Sequence, residues 1–360
     1  MKIAVLGGGC VGLTTAVHLQ NELRNSAKLD VIAETFDETT SHIAPGIFRV
    51  GVNYTGPTEE ITRKWVSDSY EYYDAINRSA DAAIAGVTNL SGYMYSNNPF
   101  EKVCVSLIHL DEKFFALLLI HFPISILESL HGRAGSNLQK MYRGRTATGR
   151  RRMEVRNFYV NSADAAHLLS PLGTEKVRER LAADGVNLVT RRVESLKELA
   201  KDYDIIMNCT GLGAKRLCQD RYMVPISGQI IKAKAPWIKT FFYADLNTYI
   251  IPGTDGLITL GGNREYGSYD VSICRHQATA IRERCEKLVP SLTKAETVMH
   301  KNGIRPHREG GIRSGTEKIQ DGLHSATVIH NYGHSGYGIC TAPGTSKYAV
   351  ELAKEAHRLA

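Results

Sequence analysis

Gly7, Gly9 and Gly12, in the run GGGCVG, have the spacing G-x-G-x-x-G. Each answers a separate need of a bound pyrophosphate. The first permits a tight turn, the second lets phosphate approach the backbone, and the third lets a helix pack closely on a strand. Cys10 and Val11 lie between the second and third, where a helix that opens here presents free N–H groups and the positive end of its dipole. Glu34 stands 22 residues after Gly12, at the end of a second apolar run. An acid there accepts hydrogen bonds from ribose hydroxyls and repels a 2′-phosphate, which argues for dinucleotide binding and against NADP.

A second glycine-rich run, HNYGHSGYG, fills residues 330–338. Nicotinamide-binding domains carry their fingerprint at the start of the chain, and nothing comparable recurs at the end. In one large class of FAD proteins a C-terminal strand ends in glycines, and a following helix aims its N-terminus at the flavin. VIHNYGHSGYGI, with a helix expected from Thr345, fits that arrangement, so Gly333, Gly336 and Gly338 are expected to bring backbone N–H groups to FAD.

Elements of matching type surround both runs. KIAVL (2–6) reads as a buried parallel strand, residues 11–24 carry apolar positions at helical spacing, and LDVIA closes a βαβ unit at Ala33. Thr58 is placed to cap a helix with Ile61, Trp65, Tyr72 and Ile76 on one face. A helix is expected over 174–184, with Gly185 as its stop, and strands at VNLVT and at DIIMN (204–208). From 228 to 262 short β-runs (GQIIKA, TYIIPG, LITLGG) suggest an antiparallel sheet. A helix over roughly 273–288, a strand at 326–330 and a final helix at 345–357 complete the reading. The fold expected is α/β: a Rossmann-like FAD-binding domain from residues 1–50, 157–215 and 300–360, and a mixed or antiparallel substrate domain from 51–156 and 216–299.

Bulk properties exclude several classes. The 360 residues are 43% hydrophobic and 22% charged with net charge +7, ordinary for a globular protein and no nucleic-acid signature. Seven scattered cysteines without a C-x-x-C spacing read as free thiols, with neither a disulfide frame nor a metal site. The longest apolar run, Phe114 to Leu127, is broken by His121 and Pro123 and is too short to span a bilayer. Met1 leads straight into a strand and the chain ends in HRLA, so neither a secretory signal nor the usual peroxisomal tripeptide is expected; a cytoplasmic or peroxisomal location follows. An Arg-rich tract runs from Arg143 to Arg156 and reads as a solvated basic loop.

The chain resembles the D-amino-acid oxidase and D-aspartate oxidase family, and D-aspartate oxidase more closely. GGGCVG, TTSHIAPGIF (39–48), NCTGLGA (208–214), GQIIKAKAPW (228–237), YIIPG with the following LGG (249–262), GIRPHR (303–308) and HNYGHSGYG carry the resemblance, whereas residues 100–156 do not match well. It implies an FAD enzyme that oxidises the Cα–N bond of a D-amino acid to an imino acid. The imino acid hydrolyses to a 2-oxo acid and ammonia, while O₂ is reduced to H₂O₂. Besides the first glycine run with Cys10 and Val11, it assigns Glu34, Thr35, Thr40, Ser41, Gly46, Ile47, Val193, Arg305, Ser335, Gly336, Tyr337, Gly338, Ile339 and Cys340 to the cofactor.

In the same resemblance Arg305 grips the substrate α-carboxylate, helped by the Tyr249 hydroxyl. Arg264, in GGNREYG, falls where members acting on acidic substrates carry an arginine, and Arg49 is a second candidate for that charge. Tyr243 falls where an active-site lid is expected and where acidic-substrate members often place an arginine. The expected activity is oxidation of D-aspartate or D-glutamate. An oxidase of neutral D-amino acids stays open, with Arg264 turned to solvent and paired with Glu265 or Asp270. So does a weak or inactive flavoprotein, because His42, Pro45, Ser335, Cys340 and the segment TAPGTSKY depart from the family pattern.

Overall fold

The computed structural model describes residues 1–24, 26–50, 54–83, 85–96, 151–160, 173–245, 248–253 and 256–358. The apolar run 114–127, Cys104 and the arginines from Arg143 to Arg150 lie outside the described residues.

Strands β1 (Lys2–Leu6) and β2 (Lys28–Ala33) flank the first helix, Cys10–Leu23. β3 (Val87–Ser96) and β4 (Arg151–Val160) follow the helix Glu59–Asn77, and β5 (Asn187–Thr190) and β6 (Ile205–Asn208) follow the helix Gly173–Ala183. Next come β7 (Met223–Lys234), β8 (Phe241–Ala244), β9 (Thr248–Pro252), β10 (Leu257–Gly261) and the short β11 (Glu265–Tyr266). The helix Arg275–Leu288 precedes β12 (Glu296–Arg308), β13 (Arg313–Asp321) and β14 (His324–Tyr332), and the chain closes on the helix Gly338–Arg358.

A six-stranded sheet has the order β13-β14-β6-β1-β2-β5. β1 pairs in parallel with β2 and with β6, Ile3 lying opposite Leu29 and Ile205. KIAVL is apolar throughout because both its faces are covered. Ile3 and Val5 pack into a core with Leu13 and Val17 of the first helix and Val350 and Ala353 of the last. Ala4 and Leu6 pack on the opposite face with Val193, Leu196 and Leu199.

The second sheet has eight strands, in the order β11-β7-β10-β9-β8-β3-β4, with β12 on the free side of β7. β12 pairs with β7 from Glu296↔Lys234 to Arg308↔Met223, so the expected boundary at residue 300 falls inside one strand, and that strand belongs to this sheet. β4 likewise carries the second sheet past the expected boundary at 156. Strands β3 and β13 were not expected from the sequence; β13 adds an antiparallel edge to an otherwise parallel sheet. Tyr243 lies within β8, paired with Tyr249 of β9, so its segment is strand and not lid.

The last helix corrects a boundary. It was expected from Thr345, and it begins at Gly338 and runs through Pro343. Proline lacks the N–H that would bond the carbonyl of Ile339. The hydroxyl of Tyr73, from the helix Glu59–Asn77, donates to that carbonyl instead. The Gly344 amide donates to Ser69 Oγ at 2.8 Å in the same crossing. The expected Thr58 cap is present, its Oγ1 accepting from the Ile61 amide at 3.2 Å.

Candidate active site

The first glycine run has the geometry a pyrophosphate needs. Gly7 has φ +119°, and a Cβ there would stand 2.4 Å from the Cys209 carbonyl oxygen. A Cβ on Gly12 would meet the Gly7 carbonyl oxygen at 2.0 Å, which is the close helix–strand packing expected of the third glycine. A Cβ on Gly9 would meet nothing nearer than Ser41 Oγ at 3.4 Å, so the middle glycine leaves room above the backbone. The N-cap residue Gly9 has no side chain to cap the helix that opens at Cys10. Val11 is half-buried in its first turn, and its carbonyl accepts the Thr15 hydroxyl at 2.8 Å.

The last helix brings a second N-terminus to the same place. A Cβ on Gly338 would lie 3.6 Å from Cys10 Sγ. Two helix N-termini therefore converge where the two glycine runs meet, and their free amides and dipoles favour an anion. Glu34 follows β2 with an exposed carboxylate 3.4 Å from Arg192. The Thr35 carbonyl lies against Gly8, and Val193 is buried beside β1 and β2. These residues fit FAD: a cradle for pyrophosphate, an acid for ribose, and a glycine loop leading away from the first helix.

Segment 39–48 links that cradle to the second sheet. Ser41 Oγ accepts from the Cys10 amide at 3.0 Å. Thr40 Oγ1 donates to the Ile304 carbonyl at 2.8 Å, next to Arg305. Gly46 and Ile47 are buried, and the Cys340 thiol donates to the Ile47 carbonyl at 3.5 Å. Burial pushes that thiol up to about 11, so it stays protonated as a donor. Ile339 is buried, and Tyr337 packs edge-on against Tyr54 at 5.6 Å between ring centroids. Ser335 has φ +53°, a left-handed geometry that favours glycine. A Cβ on Gly336 would lie 3.5 Å from Arg305 Cδ, so the C-terminal glycine run borders the arginine expected to hold substrate.

Arg305 starts on β12 and reaches across the sheet. Its guanidinium passes over Gly228 of β7, where a Cβ would stand 2.1 Å from Nη1. The nearest backbone acceptors, the carbonyls of Ser227 and Asn263, are at 3.4 and 3.5 Å, too long to satisfy it. Burial lowers the pKa of Arg305, and the neighbouring Tyr249 hydroxyl works in the opposite direction. Tyr249 comes from β9 and lies over Gly261, where a Cβ would be 2.0 Å from Tyr249 Cζ. Gly228 and Gly261 thus clear the sheet face so that a β12 arginine and a β9 tyrosine meet above β7 and β10. Burial raises the Tyr249 pKa while Arg305 and Arg264 oppose it, so it is a neutral phenol and a donor at neutral pH.

Tyr243 packs on Tyr249 with centroids 5.5 Å apart and planes at 31°. Arg49 lies over the Tyr243 ring, its Cζ 4.7 Å from the centroid. Arg264, after β10, is exposed, and its charge acts on Tyr243, Tyr249 and Arg305. Glu265 bonds Asn263 and Gln277, and Asp270 takes the Ser272 amide. Among the described residues Arg49, Arg264 and Arg305 form no ion pair. The sequence reading missed Gly228; its signal was a glycine inside an apolar strand, which marks a close approach.

Two sheets, one of them parallel with a glycine-run cradle and the other carrying a cationic face, define a two-part dinucleotide-dependent oxidoreductase. The chain belongs to the FAD dependent oxidoreductase family, whose pattern it matches over residues 2–352. FAD is therefore its cofactor. The chain is 31% identical to the D-aspartate oxidase of Homo sapiens, over 98% of this chain and 95% of that protein. It is 28% identical to a D-amino-acid oxidase of Streptomyces coelicolor, over 98% and 96%. The fold is shared with a glycine oxidase from Geobacillus kaustophilus at TM-score 0.70 and 18% identity, covering 98% of this chain and 94% of that one. The six described cysteines are free thiols. Among the described residues no side-chain cluster suits a metal ion, and no helix is long and apolar enough to cross a membrane.

Proposed function

We propose that the protein is an FAD-dependent oxidase of acidic D-amino acids, with D-aspartate and D-glutamate as its substrates. Bound FAD supplies the hydride acceptor and the route to O₂, and the products are a 2-oxo acid, ammonia and H₂O₂. Arg305 pairs with the α-carboxylate through two parallel hydrogen bonds, and the neutral Tyr249 hydroxyl donates to the same group. Arg264 faces the side-chain carboxylate. Three arginines disfavour an ammonium, so the substrate amine reacts in its neutral form and no protein base is required at Cα.

The observation that carries this reading is a set of three cations around two stacked tyrosines with no carboxylate among the described residues to neutralise them. A face of that kind fits a dianion, and a neutral side chain leaves charge uncompensated. The naming of the human relative as a D-aspartate oxidase supports the same choice. Oxidation of neutral D-amino acids is the second reading, and the exposure of Arg264 favours it, since an exposed charge is screened. Peroxide release by the FAD-loaded enzyme with D-aspartate, D-alanine and L-aspartate decides between them. The acidic reading expects D-aspartate to exceed D-alanine in kcat/KM and L-aspartate to be inert; D-alanine ahead of D-aspartate overturns it.

A further inference from the structure

Arg49 is held more firmly than an arginine at a loop end needs to be. Ile47, two residues before it, is buried with Tyr249 and Phe241, and its carbonyl takes both the Cys340 thiol at 3.5 Å and the Arg49 amide at 2.9 Å. Phe48 turns the other way and packs edge-on to Tyr70 and Tyr73. The backbone is pinned on both sides, so Ile47 and Arg49 face the second sheet together.

The guanidinium then lies 4.7 Å from the Tyr243 centroid. A cation over an aromatic face is held by the ring quadrupole without giving up its charge or its outward donors. Tyr243 in turn packs on Tyr249, and Tyr249 neighbours Arg305. Arg49 thus lies on one tyrosine of the pair, Arg305 neighbours the other, and the charge of Arg264 acts on both. Arg49 is half-buried where Arg264 is exposed, so its field is less screened. It has no ion-pair partner among the described residues.

We propose that Arg49 is a specificity-determining residue, a second cation that pairs with the substrate's side-chain carboxylate together with Arg264. The proposal rests on the acidic-substrate reading above. It makes the preference for a dicarboxylate the work of two arginines from different segments, one fixed by the flavin-side segment 39–49 and one by the turn after β10.

The test compares Arg49→Lys, Arg49→Gln and Arg49→Leu with the parent, each loaded with FAD. Two quantities are read: the ratio of kcat/KM for D-aspartate to that for D-alanine, and the calorimetric Kd for malonate beside that for benzoate. Gln and Leu are expected to lower the ratio and to weaken malonate by roughly 10- to 100-fold, mostly through KM and Kd, with benzoate much less affected. Lys, which keeps the charge, is expected to retain the larger part of both. Lys and Gln behaving alike, or malonate and benzoate weakening together, overturns the proposal. The malonate arm needs no turnover. A parent enzyme inert to D-aspartate therefore sinks the acidic-substrate reading, while unchanged malonate binding in Arg49→Gln sinks Arg49 by itself.

Discussion

The guanidinium of Arg305 rests on the bare backbone of Gly228, so closely that a Cβ at 228 would stand 2.1 Å from Nη1 and 2.6 Å from Cζ. The arginine therefore owes its position to a missing side chain on the neighbouring strand. Gly228→Ala is expected to displace the guanidinium while leaving the β7–β12 pairing intact. A displacement near 1 Å at an anchoring group costs on the order of 10²-fold in rate. Steady-state kinetics on any accepted D-amino acid checks this, with flavin content as the control; a variant with parental kcat/KM shows that Arg305 has another way across the sheet.

Arg305→Leu is expected to remove most activity on every D-amino acid and to leave FAD bound. Losing the partner of a carboxylate in a half-buried site costs roughly 3–5 kcal/mol. Turnover near the parental rate would remove Arg305 from the role of α-carboxylate anchor.

Arg264→Ala is expected to act on one substrate class. kcat/KM for D-aspartate should fall roughly 10²-fold, the effect of one truncated partner of a charge pair, and the preference over D-methionine should shrink or reverse. Equal falls for both substrates would assign Arg264 to general structure.

Much of the cofactor half was legible in the sequence because glycine spacing is a backbone requirement. Gly7, Gly9 and Gly12 do the three different things their spacing implies, and HNYGHSGYG lies against them through Gly338 and Cys10. The start of the last helix was misplaced because a proline inside a helix reads as a break, and only the structure reveals that Tyr73 replaces the missing donor at Ile339. The sheet edges were misplaced for a related reason: β12 is one long strand that serves the second sheet, but its C-terminal end holds the motif read as part of the cofactor domain. Substrate-side geometry was the least legible, since the meeting of Arg49, Tyr243, Tyr249 and Arg305 depends on four segments crossing one sheet face.

Ser335→Gly is expected to stabilise the protein. Ser335 has φ +53°, a left-handed conformation that costs an L residue about 1–2 kcal/mol. Glycine relieves it but loses more chain entropy on folding, which leaves a net gain of about 0.5–1 kcal/mol. The thermal midpoint of the FAD-loaded enzyme measures it, with Ser335→Ala expected to give no gain. A lower midpoint for the glycine variant would mean that the serine side chain contributes more than its backbone strain takes away.

The last prediction concerns acid. His334 sits in the glycine loop beside the cofactor cleft, its backbone bridged to His307 of β12 and its Nε2 3.0 Å from Thr345 Oγ1. It is almost wholly buried, and burial alone takes its pKa from 6.5 down to about 3. Between those values the unfolded chain binds a proton at this site and the folded chain does not. Unfolding therefore takes up protons, and stability rises with pH through that window and is lost on acidification below about 6.5. The slope is about 1.4 kcal/mol per pH unit, so moving from pH 7 to pH 5 costs roughly 2 kcal/mol from this residue. His330, whose pKa is also lowered chiefly by burial, adds to the same trend, and Glu317, held below the usual carboxylate range by its bond to His330, acts at lower pH. The contribution of His334 is isolated by subtraction: urea unfolding of the parent and of His334→Asn at pH 7 and pH 5, with bound flavin followed in parallel. The parent should lose about 2 kcal/mol more than the variant over that interval, and it should release flavin more readily at pH 5 than at pH 7. Equal losses in the two proteins would mean that His334 takes up a proton in the folded state, and that the loop opens to water without unfolding.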